Sequence, residues 1–179
     1  MINRISIKDM KRICRMACAK QGASRALPKD IYIVHSKGAP AQASIYFSNS
    51  IFAGRLQVPD SALSGIRCDC AFMPSDFLKS CDVSDQCTPE YLRDIHTISI
   101  SECLNRRWHL RYEELKHVNT RLMGLSMSFS THVLSDLFRF AKQMGFDNAC
   151  IDISDMRPAM IEALDVGCSL ELIVMPMIR

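Results

Sequence analysis

The clearest rhythm of apolar and polar positions lies toward the end of the chain, in "SFSTHVLSDLFRFAKQMGFDNACIDISDMRPAMIEALDVGCSLELIVM". Val133, Leu134, Leu137, Phe138, Ala141 and Met144 fall at i, i+1, i+4, i+5, i+8 and i+11, a broad apolar stripe on one side of a helix. Ser130 or Thr131 can cap its start, and Gly145 can end it. "NACIDIS" follows, short and nearly all apolar, the pattern of a central buried strand. A second helix is expected next, with Asp155 as its cap and Pro158 in its first turn, where no backbone donor is needed. Ala159, Met160, Ala163 and Leu164 would be its inner face and Gly167 its C-cap, and "SLELIVM" would close the sheet.

Earlier in the chain, Ser6 can cap a helix over about residues 7–21, with Gly22 as its stop. Met10, Ile13, Cys14, Ala17 and Cys18 lie on one side of it, and Lys8, Lys11, Arg12 and Arg15 on the other. That basic face is either solvated or a docking face for an acidic partner or membrane surface. "DIYIVHS" and "QASIYFS" read as a hairpin, with "IFAGRLQV" as a third antiparallel strand. Residues 59–89 are turn-rich and irregular, with a helical turn at "SDFLKS". "HTISISECL" reads as a strand, "NRRWHLRYEELKHVNTRL" as charged and partly helical, and "LMGLSMSF" as a strand or a buried loop. There is no internal repeat. The expectation is one domain over residues 1–179, of α/β (α+β) class, with a central mixed, mostly antiparallel sheet flanked by helices.

Composition narrows this picture. The 179 residues are 48% hydrophobic and 23% charged, the make-up of a globular domain and not of a disordered chain. No apolar run approaches the roughly 20 residues that span a bilayer, and the charged start lacks the apolar core of a secretory signal. A cytoplasmic setting is therefore expected, and nine cysteines read there as reduced thiols. Cys68, Cys70, Cys81 and Cys87 are spaced C-x-C-x10-C-x5-C, which lacks the paired knuckles of a zinc site. The five histidines are scattered, so no metal is expected. The net charge of +3 is mild, but through Arg25 there are seven Lys/Arg against one acid, Asp9. With no helix-turn-helix pattern, that excess does not point to nucleic acid.

The order of a meander, then strand, helix, strand, helix, strand, resembles the GCN5-related N-acetyltransferase superfamily. "LFRFAKQMGFDNACIDIS" is similar to the family's helix ending in A-x-x-x-G, here Ala141 to Gly145, before its fifth strand. Within the superfamily the pattern looks closest to the bacterial acyl-homoserine-lactone synthases of quorum sensing. "GRLQVP" supplies Arg55, Leu56 and Pro59 of their R-L-x-P segment, with one extra residue. "SECLNRR" supplies Glu102, followed by Arg106 and Arg107. Their N-terminal aromatic and Asp set for S-adenosylmethionine has no counterpart, the single Trp being Trp108. "RLMGLS" gives Arg121, Gly124 and Ser126 against the superfamily's phosphate-cradling R/Q-x-x-G-x-G/A.

The resemblance implies transfer of an acyl group from a coenzyme A or acyl-carrier-protein thioester to a small amine, with S-adenosylmethionine as one candidate substrate. Glu102 would take the amine proton, between "TISISEC" and "NACIDIS", where the fold's strands splay for the pantetheine arm. Arg55, Arg106 and Trp108 would contact substrate, and Arg121, Gly124 and Ser126 the coenzyme. Arg139, Lys116 and Lys142 would meet coenzyme phosphates, an acidic carrier or solvent. The alternative reading of Glu102 is a salt bridge with Arg106 or Arg107. The alternative function is a regulatory or interaction protein of the same fold without catalysis, binding through its basic first helix or the 59–89 segment.

Overall fold

The computed structural model describes residues 5–18, 30–36, 38–49, 51–63, 66, 69–82, 98–99, 127–153 and 158–178. The first helix, α1 (Ile7–Cys18), opens on a reciprocal cap. The Asp9 backbone N–H donates to Ser6 Oγ at 3.2 Å, and the Ser6 N–H donates to Asp9 Oδ2 at 3.1 Å. This is a capping box with Asp in the place usually held by Glu or Gln, and it satisfies donors that a first helical turn cannot pair internally. Met10, Ile13 and Cys14 are buried as the stripe predicts, while Cys18 is exposed. Gly22 lies outside the described residues.

The meander forms as expected: β1 (Ile31–Ser36), β2 (Gln42–Ser48) and β3 (Phe52–Pro59) pair antiparallel. A short 3-10 turn (Asp60–Ala62), β4 (Cys70–Phe72) and α2 (Pro74–Asp82) follow. Then come β5 (Ile98–Ser99), β6 (Met127–Ser128) and α3 (Thr131–Gln143). The chain continues as β7 (Ala149–Asp152), β8 (Ala159–Asp165), β9 (Cys168–Val174) and β10 (Met177–Ile178). Ser130 caps α3, its hydroxyl accepting from the Val133 N–H at 3.4 Å, and Gly145 follows the helix with φ of 90°. Of the two proposed caps the structure uses the serine.

The α+β class is as expected. The main sheet has eight strands in the order β5-β4-β1-β2-β3-β9-β8-β7, and β6 pairs separately with β10. Every described pairing in it is antiparallel, so the sheet is not mixed in these residues. The expected helix after Pro158 is instead β8, and this is the cause. A helical crossover would have returned the next strand parallel to its predecessor, whereas β8 and β9 form a hairpin. Asp165 pairs with Cys168 across a two-residue turn, with Gly167 at φ 73°. Gly167 is thus a turn residue and not a helix cap. The seven residues carry both periods at once, because Ala159 and Ala163, four apart, share a side in a helix and in a strand. The buried Ile161 and the exposed Glu162 and Leu164 follow the strand period.

β7 is an edge strand and not a central one. Ala149 and Ile151 are half-buried, while Cys150 and Asp152 face solvent. The apolar cluster lies on one face of the sheet, where rows such as Phe47–Gly54–Leu172–Ile161–Ile151 run across the strands. α1, α2 and α3 all contribute to it, through Ile13, Phe77 and Phe140 among others. Phe47 meets Phe52 and Phe140 edge to face, at centroid distances of 6.0 and 5.7 Å. On the opposite face Tyr32, Tyr46, Ala53, Ala71 and Ile173 form a second, smaller cluster. No helix among the described residues is long and apolar enough to cross a membrane.

Candidate functional site

α1 and α3 stand over the same end of the sheet, and the β2–β3 turn lies between them. Asn49 builds that turn: its Oδ1 accepts from the backbone N–H groups of Ile51 at 2.8 Å and Phe52 at 3.0 Å. Its Nδ2 donates to the Met16 carbonyl at 3.2 Å, which ties the turn to the last part of α1. Between these elements is an open cleft of about 380 Å³. Its floor is apolar, from Met16, Phe52, Leu137 and Phe140, and its rim carries Arg12, Arg15 and Arg139.

The rim is cationic because the two helices bring their basic positions to one opening. Arg12 and Arg15 are one turn apart on α1, and Arg139 comes from α3. Arg12 is the anchored member: its Nη1 donates to Asp9 Oδ1 and to the Gln143 carbonyl, each at 2.8 Å. The second bond answers a carbonyl at the C-terminal end of α3, where a helix cannot pair it internally and where the helix dipole favours a cation. Arg15 and Arg139 are exposed. The one acid in the lining is Asp136, which stands 3.4 Å from Arg139 and 3.5 Å from His132. Such solvated pairs stabilise by at most about 1 kcal/mol, so they do not quench the rim. Three arginines against Asp136 and the Asp9 paired with Arg12 leave one net positive charge over an apolar floor, which suits an anion with an apolar part.

Of the site residues named from sequence, Arg55 is within the described set. It lies on β3, where its register partners are Tyr46 and Glu171, and it pairs with Glu171. Gln57 on the same face donates to Gln42 Oε1, and Ser169 donates to Gln57 Oε1 at 3.3 Å. Arg55 is therefore tied into a polar ladder across β2, β3 and β9, away from the cleft. The Arg55 and Glu171 side chains are 21% and 15% exposed, so solvent screens the pair only in part. Glu171→Ala is expected to cost about 1–2 kcal/mol, less than loss of a fully buried partner. Arg55→Met with Glu171→Leu should cost less than the two single changes summed, as read from urea midpoints.

Glu102, Arg106, Arg107, Trp108, Lys116, Arg121, Gly124 and Ser126 lie outside the described residues. β5, from "TISISEC", and β7, from "NACIDIS", are the two opposite edges of the sheet with six strands between them. Among the described residues these two strands are not neighbours. The hairpin at β8–β9 again accounts for the difference, since it moves β7 out to an edge.

Sequence reasoning named Arg12 and Arg15 as part of a basic helix face and Arg139 as a contact for coenzyme phosphates, an acidic carrier or solvent, and missed that they converge. The missing information is tertiary: Asn49 and Gln143 give no sequence signal that they join α1 to its neighbours. It also missed a pairing at the far end of the meander. His35 Nδ1 bonds Asp60 Oδ1, and the His35 backbone N–H donates to Asp69 Oδ1 at 2.8 Å, which pins the 3-10 turn to β1. Among the described residues no group of three His, Cys, Asp or Glu is placed to hold a metal. Cys70, from the C-x-C-x10-C-x5-C spacing, is buried. No family model, curated protein or solved structure matches this chain. What fold and site define together is an antiparallel α+β protein with an arginine-rimmed cleft.

Proposed function

We propose that this chain is a binding protein that takes an anionic ligand in the cleft between α1 and α3, a regulatory or interaction role in place of catalysis. The observation that carries this reading is the convergence of Arg12, Arg15 and Arg139 over Met16, Phe52, Leu137 and Phe140. Guanidinium groups offer several donors in a planar fork that matches carboxylate and phosphate oxygens. The strand order of the described residues, with β5 and β7 at opposite ends, supports it too.

Acyl transfer from a coenzyme A or acyl-carrier-protein thioester to a small amine is the second reading. The make-up of the same cleft favours it, since such a carrier is itself an anion with an apolar acyl arm. A thermal-shift titration against acetyl-coenzyme A, octanoyl-coenzyme A, octanoate and S-adenosylmethionine separates the two. A ligand at 100 times its dissociation constant adds about 2.7 kcal/mol of stability. Stabilisation by an anionic ligand that Arg15→Gln with Arg139→Gln weakens, without release of coenzyme A in the presence of amines, is the expected result. Release of coenzyme A that Glu102→Gln abolishes would replace the binding reading with the enzymatic one. No stabilisation by any anion would remove both.

A further inference from the structure

We infer that the cleft selects a small amphiphilic acid, a single carboxylate or phosphate head on a compact apolar body. This rests on reading the α1–α3 cleft as the binding site, and it adds the ligand's class. The head is indicated by the rim. Arg12 is held in place through one nitrogen, Nη1, by Asp9 and the Gln143 carbonyl, so it is oriented before any ligand arrives. Arg15 and Arg139 are exposed and can close on an anion from either side. Asp136 in the lining opposes a second or third negative charge near Arg139 and so favours a low-charge head over a polyanion.

The body is indicated by the floor. Met16, Ile51 and Val133 are part-exposed and line the cleft, over the buried Phe52, Leu137 and Phe140. A hydrophilic anion would leave that surface wet, whereas an alkyl chain would displace its water. At about 380 Å³ the cleft is near the lower end of the range of ligand pockets, roughly 300–1,000 Å³, and suits a short chain.

The test is a calorimetric titration of the full-length protein with butanoate, hexanoate, octanoate, octyl phosphate, inorganic phosphate and 1-octanol. Affinity should rise by up to about fourfold per added methylene along the acids until the cleft is filled. Octyl phosphate should exceed inorganic phosphate, and octanoate should exceed 1-octanol, each by about tenfold or more. Arg15→Gln with Arg139→Gln should weaken the acids about tenfold and leave 1-octanol unchanged; both residues are exposed, so folding is preserved. The relative strength of octanoate and octyl phosphate decides which head the rim prefers. Inorganic phosphate binding as tightly as octyl phosphate would overturn the inference and leave the anion-binding role standing. Octanol binding as tightly as octanoate would overturn it from the other side. If no acid or phosphate binds while coenzyme A esters do, the ligand class assigned here is wrong but the site is not. If nothing anionic binds, the site reading falls with it.

Discussion

Phe140→Ala should lower stability by about 3–5 kcal/mol, the largest single effect expected in this protein. Phe140 is 2% exposed and joins α3 to the sheet through its edge-to-face contact with Phe47. Truncation removes the ring's transfer free energy and leaves a cavity that two rigid neighbours, the sheet and the helix, cannot collapse. For a domain of this length the loss corresponds to a fall in melting temperature of about 10 °C. Phe140→Leu keeps most of the volume and should cost no more than about 1.5 kcal/mol. A differential scanning measurement showing equal losses for Ala and Leu would mean that α3 is not held to the sheet through this contact.

Gly54→Ala is the second large effect, about 1–3 kcal/mol, and it acts by overpacking instead of by a void. A Cβ at this position would stand 2.5 Å from Phe47 Cζ, 2.7 Å from Phe47 Cε2 and 2.9 Å from Leu172 Cδ2. These are side-chain ends, which could give way on an open surface. Here they cannot, since Phe47 is fully buried and its ring is gripped by Phe52 and Phe140. Relief therefore has to come from shortening Phe47. In a double-mutant cycle Gly54→Ala should cost clearly less in a Phe47→Leu background than in the native one, a coupling on the order of 1 kcal/mol. Independent, additive losses would show that the backbone of β3 moves to absorb the methyl group.

Much of the architecture could be read from hydrophobic rhythm because the first three strands and two of the helices obey one period only. α3 is the best case: thirteen residues, a serine cap and a glycine stop admit a single interpretation. β8 is the opposite case. Its apolar positions at 159 and 163 fit both periods, and a segment of seven residues has no further turn with which to break the tie. The strand wins because β7 and β9 pair with both of its edges, and that is a tertiary fact. The central position expected for β7 came instead from its short, nearly all-apolar run, and the site between β5 and β7 from the family resemblance. The cleft was legible only as separate basic positions on α1 and α3. Their convergence depends on Arg12 reaching the Gln143 carbonyl, 131 residues away, and no local pattern encodes that.

The same Arg12 bridge has a consequence for how the cleft responds to salt. Arg15 and Arg139 stand in water, so their pull on an anion is screened within roughly 8 Å at physiological ionic strength and fades further as salt is added. Arg12 is tucked between two helices and spans them as a strut, so its field is screened less and its position does not depend on the ligand. The rim thus divides into a salt-sensitive pair that draws an anion in and a salt-tolerant post that keeps it. Raising ionic strength should slow capture far more than it hastens escape.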